Sequence, residues 1–357
     1  MRALFFLNSF TGGGAEKVCL NLAKQLSMLD IESDFIIIYN TKADYNIPEY
    51  IHVYSLGIED KSLACWRMIK WVTKVNKFLD DKKYVLITAH LQPSQLFASL
   101  TKAGRKCFYV MHGSQHLKDK NNSKLYLIVL RLFLKSKKVV TVSKGLEKEL
   151  NIEYGLNSKN IFTIYNPCAV SRTELKLYLE TPHARPYILV MGRLEEPKNP
   201  LQILELYYKG NFYKKYDLVF LGKGSLMDDI VKMIDRNNLQ EYVFLAGFQE
   251  DTVSWLENAS LLLSCSRREG LPMNLIEALM CGTPVVAANC PHGPNEILTD
   301  ELSEFLIDPE ENLDESIAVV WSALDSYPDI TEKYYDKFNV ESITQTYLNV
   351  WKECFGR

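Results

Sequence analysis

Short, continuous apolar runs alternate with segments of helical spacing along almost the whole chain. Because polar residues do not interrupt these runs at every second position, each run predicts a strand that is buried on both faces. Strands of this kind that are separated by helices indicate a parallel sheet with helices on both sides. The runs in the first part of the chain are 3–7, 35–39, 85–88, 108–111, 139–142 and 161–165. The segment between the first two predicts a helix from apolar residues at helical spacing, namely Val18, Leu22, Leu26 and Leu29.

The same alternation restarts after Pro186. Its runs are 187–191, 218–221, 243–246, 261–264 and 285–287. We therefore predict two Rossmann-like, doubly wound α/β domains over residues 1–166 and 186–337, joined by a linker at 167–185. Because ligands of such folds bind outside the carboxyl ends of the strands, we expect a ligand cleft between the carboxyl ends of the two sheets.

Charge is distributed very unequally between the two halves. Residues 1–165 carry 24 Lys and Arg against 14 Asp and Glu, whereas the remainder carries 17 against 30. This imbalance indicates two domains with different partners, of which the basic one faces something anionic. Nucleic acid is not the expected partner, because the basic residues do not form a recognised nucleic-acid-binding module.

Several features of the sequence predict a cytoplasmic protein. The eight cysteines form no C-x-x-C pair, and most lie in apolar runs, so we expect buried, reduced thiols. Met1 leads directly into the first predicted strand, without the pattern of a secretory signal peptide. The longest apolar stretch, 125–134, is interrupted by Arg131 and is far shorter than the roughly 20 residues of a spanning helix.

Two carboxylates flank a turn in the second half of the chain. Glu269 follows a predicted strand, and Glu277 lies about two turns into the next helix, since a helix has about 3.6 residues per turn. Pro272 suits the first helical turn, and the free amides at the start of a helix favour an anion such as a diphosphate. A carboxylate in such a site accepts hydrogen bonds from two hydroxyls, which suits a sugar or a ribose.

Further motifs stand in a particular order around this pair. They are Gly-Gly-Gly-Ala-Glu-Lys at 12–17, Gly-Arg-Leu at 192–194, Lys-Asn at 198–199, Gly-Lys-Gly at 222–224 and Phe-Leu-Ala-Gly at 244–247. Together with the E-x7-E pair they resemble glycosyltransferase family 4, in the form found in bacterial surface-polysaccharide and lipid-linked-oligosaccharide enzymes. The resemblance covers nearly the whole chain. It implies the GT-B fold, with two Rossmann-like domains facing a cleft and a closing helix at about 338–357 that packs back on the first domain.

The resemblance also implies roles for individual residues. The catalytic residues that it implies are His112, Arg193, Lys198 and Glu269. The donor nucleotide-sugar site that it implies consists of Gly13, Gly14, Arg193, Lys198, Gly247, Glu269, Gly270, Leu271, Pro272, Met273 and Glu277. In that site the diphosphate would contact Arg193 and Lys198, and the ribose would contact Glu277. Candidates for the acceptor are Glu16, Lys17 and His116, and His90 is a second candidate beside His112 for contact with the donor sugar.

The expected chemistry uses neither a metal nor another cofactor. No Asp-x-Asp triplet occurs, so the carboxylates that hold a metal in the other large glycosyltransferase fold are missing. Cationic side chains such as Arg193 and Lys198 stabilise a departing nucleoside diphosphate instead. By resemblance the donor is a UDP-sugar, the transferred group is a hexose or N-acetylhexosamine, and the anomeric configuration is retained in an α-linkage. The resemblance further favours front-face substitution, in which the leaving phosphate takes the acceptor proton.

Residues 61–79 form a basic amphipathic pattern. Its cations are Arg67, Lys70, Lys74 and Lys77, beside Trp66, Ile69 and Trp71, and a second basic cluster at 135–138 follows the apolar stretch. Basic helices that carry tryptophan lie on anionic bilayers, although a helix packed on the core with a solvated charged face would show the same pattern. The charge of the basic half favours peripheral contact with the inner face of the plasma membrane. It therefore favours a lipid-linked saccharide acceptor, such as a precursor of O-antigen, capsule, lipopolysaccharide or polyprenyl-diphosphate oligosaccharide.

Two alternatives remain open. One is a transferase that uses a GDP-sugar, and the other is a catalytically silent GT-B subunit that only binds. A dinucleotide oxidoreductase is disfavoured, because the glycines at 12–14 lack the G-x-G-x-x-G spacing.

Overall fold

The computed structural model describes residues 1–10, 13–39, 47–58, 65–113, 124–170 and 182–356. The chain divides into two compact units. The first unit contains Met1–Cys168 and Phe338–Arg357, and the second contains Ala169–Lys337. Most of the predicted linker at 167–185 lies outside the described residues, which omit 171–181.

Each unit is built on one parallel sheet. In the first unit the described strands are β1 (Arg2–Leu7), β2 (Glu32–Tyr39), β3 (Ile51–Ile58), β4 (Tyr84–His90), β5 (Phe108–Met111), β6 (Lys138–Thr141) and β7 (Ile161–Thr163), in the order β3-β2-β1-β4-β5-β6-β7. In the second unit they are β8 (Tyr187–Met191), β9 (Asp217–Leu221), β10 (Val243–Gly247), β11 (Leu261–Ser264), β12 (Val285–Ala288) and β13 (Leu306–Ile307), in the order β10-β9-β8-β11-β12-β13. The prediction of two doubly wound α/β domains is confirmed.

Helices connect the strands. They are α1 (Gly14–Ser27), α2 (Cys65–Phe78), α3 (Ser94–Leu100), α4 (Lys124–Lys135), α5 (Lys144–Tyr154), α6 (Pro200–Lys209), α7 (Met227–Arg236), α8 (Val253–Asn258), α9 (Met273–Cys281), α10 (Pro294–Ile297), α11 (Leu313–Asp325) and α12 (Val340–Phe355). Within the described residues, none of these helices is both long and apolar enough to cross a bilayer.

The strands next to the centre of each sheet are buried on both faces, which is why they appear in the sequence as continuous apolar runs. All residues of β9 and the last five of β1 are buried. By contrast, β3 lies at the edge of its sheet and alternates exposed with half-buried residues, and β13 contains only two residues. Neither has a continuous apolar run, and the sequence did not predict either strand.

The first helix ends earlier than its apolar spacing predicts. Val18, Leu22 and Leu26 are fully buried or nearly so, as the pattern requires. Leu29 lies beyond the end of α1 and is 43% exposed. The chain has already left the helix there, since Asp30 adopts a left-handed backbone conformation with φ 55° before β2 begins.

The last helix of the chain, α12, packs in the first unit. Its Tyr347 is fully buried, and the indole Nε1 of Trp351 donates a hydrogen bond of 2.8 Å to the carbonyl of Lys106. The chain enters this helix beside the end of the first segment, where the amide of Cys168 donates to the carbonyl of Phe338 at 2.9 Å. The first unit is therefore assembled from two segments that are distant in sequence.

Both sheets have a topological switch point, at which consecutive strands leave on opposite sides of a central strand. In the first unit it lies between β1 and β4, and in the second it lies between β8 and β11. Loops that follow these strands diverge and leave a crevice at the carboxyl edge of the sheet. The loops after β8 and β11 carry Arg193, Lys198 and Glu269.

A buried carboxylate joins three strands at the opposite edge of the first sheet. Asp34 on β2 has no exposed side-chain surface and accepts hydrogen bonds from Arg2 (2.5 Å), Lys82 (3.2 Å) and Tyr84 (2.8 Å). Arg2 also contacts Glu32, but that carboxylate is 56% exposed.

We expect Asp34→Ala to destabilise the first unit by about 3–5 kcal/mol, because it leaves two partly buried cations and a tyrosine hydroxyl without their shared acceptor. The matched control is Glu32→Ala, which removes the other carboxylate of Arg2 and should cost less than about 1 kcal/mol. Urea denaturation followed by circular dichroism measures both. Equal losses of unfolding free energy in the two variants would show that the buried carboxylate of Asp34 contributes no more than the exposed one of Glu32.

Candidate functional site

Two of the predicted catalytic residues meet at the switch point of the second unit. Nζ of Lys198, in the turn after β8, donates to Oε1 of Glu269, in the loop after β11, at 2.5 Å. The side chains are 27% and 10% exposed. The residues are far apart in sequence, but β8 and β11 are neighbours in the sheet, so their loops are adjacent. A small cavity at these strand ends is lined by Gly192, Arg193, Lys198, Ser264 and Ser266, among others.

Arg193 is exposed and lies near the start of the loop that follows β8. Glu195 follows it, and its two oxygens accept hydrogen bonds from the amide (3.0 Å) and hydroxyl (2.5 Å) of Ser225. These bonds, with a smaller contribution from Arg193, lower the pKa of Glu195. The Glu195 carboxylate therefore holds the loop through Ser225, and the exposed Arg193 offers the planar set of donors of its guanidinium.

Glycines let three strand ends approach one another closely. Gly192 and Gly222 have φ of 149° and 148°, and a Cβ on Gly222 would overlap the carbonyl oxygen of Gly192. The amide of Gly192 donates to Leu221 at 3.0 Å, and that of Gly222 donates to Gly247 at 2.7 Å. A side chain at Gly222 would separate these loops, so packing alone requires glycine at this position.

Helix α9 places the second carboxylate of the pair. Glu277 lies on this helix and is 6% exposed, whereas Glu269 precedes it in the loop. Pro272 caps the helix without a side-chain hydrogen bond, so its first amides point towards the loop of Gly270 and Leu271. A helix start of this kind attracts a negatively charged group.

Two contacts that the sequence did not predict hold this loop in place. The side-chain amide of Asn274 donates to the carbonyl of Met191 at the end of β8, at 2.9 Å. Gly293, with φ 95°, lies against Pro272 so closely that a Cβ would contact its ring. The segment around Gly293 therefore packs against the Glu269 loop.

An ion network braces the turn that carries Lys198. The amide of Arg267 donates to the carbonyl of Pro197 at 2.9 Å, and its guanidinium contacts both Glu196 and Glu310. Asn199 also donates to Glu310, at 3.0 Å. Arg267 and Glu310 belong to no motif and are separated by 43 residues, so no local pattern could have indicated this pairing.

In the first unit, the glycine-rich turn begins α1. Gly13 is the residue that caps the helix, and the carboxylate of Glu16 turns back to the position that a Cβ on Gly13 would occupy. Glu16 is only 5% exposed, whereas Gly14 has open space around its Cα, and Lys17 is half-buried. The Glu16 carboxylate therefore lies over the start of its own helix, and its role towards the acceptor stays a prediction. Gly12 and His116 lie outside the described residues.

The two candidate histidines contact each other. His90 ends β4 and is completely buried, His112 follows β5, and Nδ1 of His90 lies 2.8 Å from Nε2 of His112. Burial lowers the pKa of His112 to about 4. Burial, together with the neighbouring His112, also lowers the pKa of His90 well below its ordinary value. Both imidazoles are therefore neutral at pH 7.

Comparisons with known proteins identify similar families and relatives. Residues 12–172 match the family described as "Glycosyltransferase Family 4", and residues 171–337 match the family described as "Glycosyl transferases group 1". The chain is 27% identical over 317 residues to the Campylobacter jejuni N-acetylgalactosamine-N,N'-diacetylbacillosaminyl-diphospho-undecaprenol 4-alpha-N-acetylgalactosaminyltransferase, with 85% of each protein covered. It is 24% identical to the Escherichia coli lipopolysaccharide 1,6-galactosyltransferase, covering 87% of this chain and 85% of that protein.

A solved structure has the same fold. Anabaena HepE in complex with UDP-glucose matches with a TM-score of 0.75 and 19% identity, over 99% of this chain and 100% of that one. This similarity shows the GT-B architecture of two Rossmann-like parallel-sheet domains. Because the two family matches together span residues 12–337, the chain belongs to glycosyltransferase family 4 and is a transferase enzyme.

Proposed function

We propose that this enzyme is a retaining transferase that moves a hexose or N-acetylhexosamine from a UDP-sugar to a growing lipid-linked glycan, forming an α-linkage. The observation that carries the proposal is the meeting of Lys198 and Glu269 at the switch point of the second unit, beside the start of α9. This arrangement combines a cation, a carboxylate and free helix amides, which are the groups that recognise a diphosphate and a sugar. The complex of HepE with UDP-glucose and the undecaprenol-linked acceptor in the name of the Campylobacter relative support the two substrates.

The roles of the binding residues follow from their chemistry. Arg193 and Lys198 neutralise the diphosphate as it leaves, so that no metal is required. In the ligand-free state Glu269 holds the ammonium of Lys198, and the sugar hydroxyls then take its place on the carboxylate. Glu277 accepts the ribose hydroxyls, and the backbone near Gly247 contacts the base. For His112 we keep the role implied by the family, which is contact with the donor sugar.

Calorimetric titration with UDP tests the phosphate site. We expect Arg193→Ala and Lys198→Ala each to raise the Kd at least about tenfold, since a hydrogen bond to a charged group contributes roughly 1.5–3 kcal/mol. EDTA should leave the Kd unchanged. The control is Lys232→Ala, which removes an exposed lysine on α7 of the same unit and should bind UDP normally. A screen with GDP, ADP and CMP completes the test, and preference for GDP or binding of no nucleotide would contradict the UDP donor.

The stereochemistry can be determined without an acceptor. When water replaces the acceptor, a retaining enzyme first releases the α-anomer from UDP-glucose or UDP-N-acetylgalactosamine. We expect proton NMR to record that anomer before it equilibrates, and mass spectrometry of the protein to detect no covalently bound sugar, as front-face substitution requires. Initial release of the β-anomer would refute retention, and a trapped glycosyl-enzyme would refute the front-face route.

We also propose that the first unit contacts an anionic membrane, which would place the enzyme at the inner face of the plasma membrane. On α2 the lysines at 70, 74 and 77 are exposed, whereas Val75 is fully buried. The side chains of Trp66 and Arg67 lie outside the described residues. On α4, Ile128, Val129 and Leu132 are 54%, 56% and 64% exposed. Exposed apolar side chains, as on α4, and exposed lysines, as on α2, are the two kinds of group by which helices bind the interface of anionic bilayers.

We expect Leu132→Ser to weaken sedimentation with phosphatidylglycerol vesicles about tenfold, because it removes an apolar group that would enter the lipid. The matched control is Ile152→Ser on α5, where an isoleucine of the same unit is 71% exposed. Binding of both variants should fall as salt concentration rises. Equal effects of the two substitutions would exclude α4 as the membrane contact.

A further inference from the structure

Three side chains form a continuous hydrogen-bonded chain that runs from the core of the first unit to His112. Nε2 of His90 lies 2.9 Å from Oγ1 of Thr88, and Nδ1 of the same ring lies 2.8 Å from Nε2 of His112. Thr88 and His90 have no exposed surface, whereas His112 is half-buried. Both nitrogens of His90 are therefore engaged inside the protein, and His112 is the end of the chain nearest to solvent.

The backbone next to His90 is held in a strained conformation. Leu91 has φ 66°, which a residue with a branched side chain rarely adopts. The side chain of Asn8, at the end of β1, secures this turn by donating to the carbonyl of Gln92 (2.7 Å) and accepting from the amide of Ser94 (3.0 Å). The Ser94 hydroxyl also donates to the carbonyl of Leu91 at 2.9 Å and contacts that of His90. Strain that is maintained by so many contacts is characteristic of positions that serve function.

The number of available protons determines which group donates and which accepts in each of these hydrogen bonds. Among the described residues, the Thr88 hydroxyl has no polar partner except Nε2 of His90. If His90 donated to this hydroxyl, the hydroxyl proton would be buried without an acceptor among the described residues, which is unfavourable. Thr88 therefore donates to Nε2, and the single proton of the neutral His90 ring lies on Nδ1. That proton is donated to Nε2 of His112, which leaves the proton of His112 on Nδ1.

We propose that Thr88 and His90 are positioning residues that hold His112 in the Nδ1–H form, so that His112 presents a hydrogen-bond donor to the donor sugar. The last step rests on the proposed function, because it assigns His112 to sugar contact. The expected ligand group is an oxygen that accepts a hydrogen bond, such as a hydroxyl or the bridging oxygen next to the anomeric carbon. His90 thereby acts through His112 and does not itself contact substrate.

The tautomer can be observed directly in the ligand-free enzyme. In long-range proton–nitrogen correlation spectra of protein labelled with 15N-histidine at pH 7, we expect His112 to be protonated on Nδ1 alone. We expect Thr88→Val to produce a mixture of Nδ1–H and Nε2–H forms of His112. Without the hydroxyl, nothing keeps the proton of His90 on Nδ1. His90→Phe removes the donor to His112 and should have the same effect. The matched control is Thr141→Val on β6, another fully buried threonine hydroxyl, which bonds to Thr163 at 3.1 Å and should leave His112 unchanged.

An Nε2–H form of His112 in the unmodified enzyme would overturn the proposal, as would an Nδ1–H form that persists in both Thr88→Val and His90→Phe. Release of UDP from UDP-glucose and from UDP-N-acetylgalactosamine by His112→Ala tests the proposed function separately. If that release is unchanged while the tautomer behaves as expected, the hydrogen-bonded chain stands but the contact of His112 with sugar fails. If release is lost while the His112 tautomer is the same in Thr88→Val and His90→Phe as in the unmodified enzyme, the sugar contact stands and the positioning role fails.

Discussion

All strand pairs among the described residues are parallel, and this constraint decides which side chains can meet at the edge of each sheet. In a parallel sheet every strand ends at the same edge, so residues from distant parts of the sequence are brought together there. Lys198 and Glu269 meet because β8 and β11 are neighbours, and His90 meets His112 because β4 and β5 are neighbours. Which candidate site residues meet in each unit thus depends first on the order of the strands.

The opposite edge of each sheet is closed by a buried carboxylate. In the first unit Asp34 accepts from Arg2 at the start of the central strand β1. In the second, Asp217 accepts from Arg185 and contacts His183, both just before the central strand β8, at 2.7 Å in each case. Each cluster joins the start of the central strand to the neighbouring strand, β2 in the first unit and β9 in the second. Both clusters lie at the edge of the sheet opposite the candidate site. The two units, although different in sequence, both place a buried carboxylate that accepts from an arginine at the amino edge of the sheet.

At the carboxyl edge of each sheet, polar contacts hold the loops in place. They are backbone contacts, ion pairs and side-chain hydrogen bonds. Gly222 allows the loops after β8 and β9 to touch, and Arg267 braces the turn that carries Lys198. In the first unit Asn8 secures the strained turn beside His90. Because the loops are fixed before any ligand arrives, less ordering is required when the ligand binds, which favours both affinity and orientation.

The sequence by itself determined the two α/β domains, most of the central strands and the cations and carboxylates that form the candidate site, because buried parallel strands and glycine-rich turns leave local patterns. It did not determine β3 or β13, which bury too few apolar residues to form a run, nor the end of α1 before Leu29. Only the tertiary structure revealed the Arg267 brace, the packing of Gly293 on Pro272 and the chain from Thr88 through His90 to His112. Apart from Thr88 and His90, which lie two residues apart on one strand, these contacts join residues that are distant in the sequence, so they depend on the order of the strands and the packing of the loops.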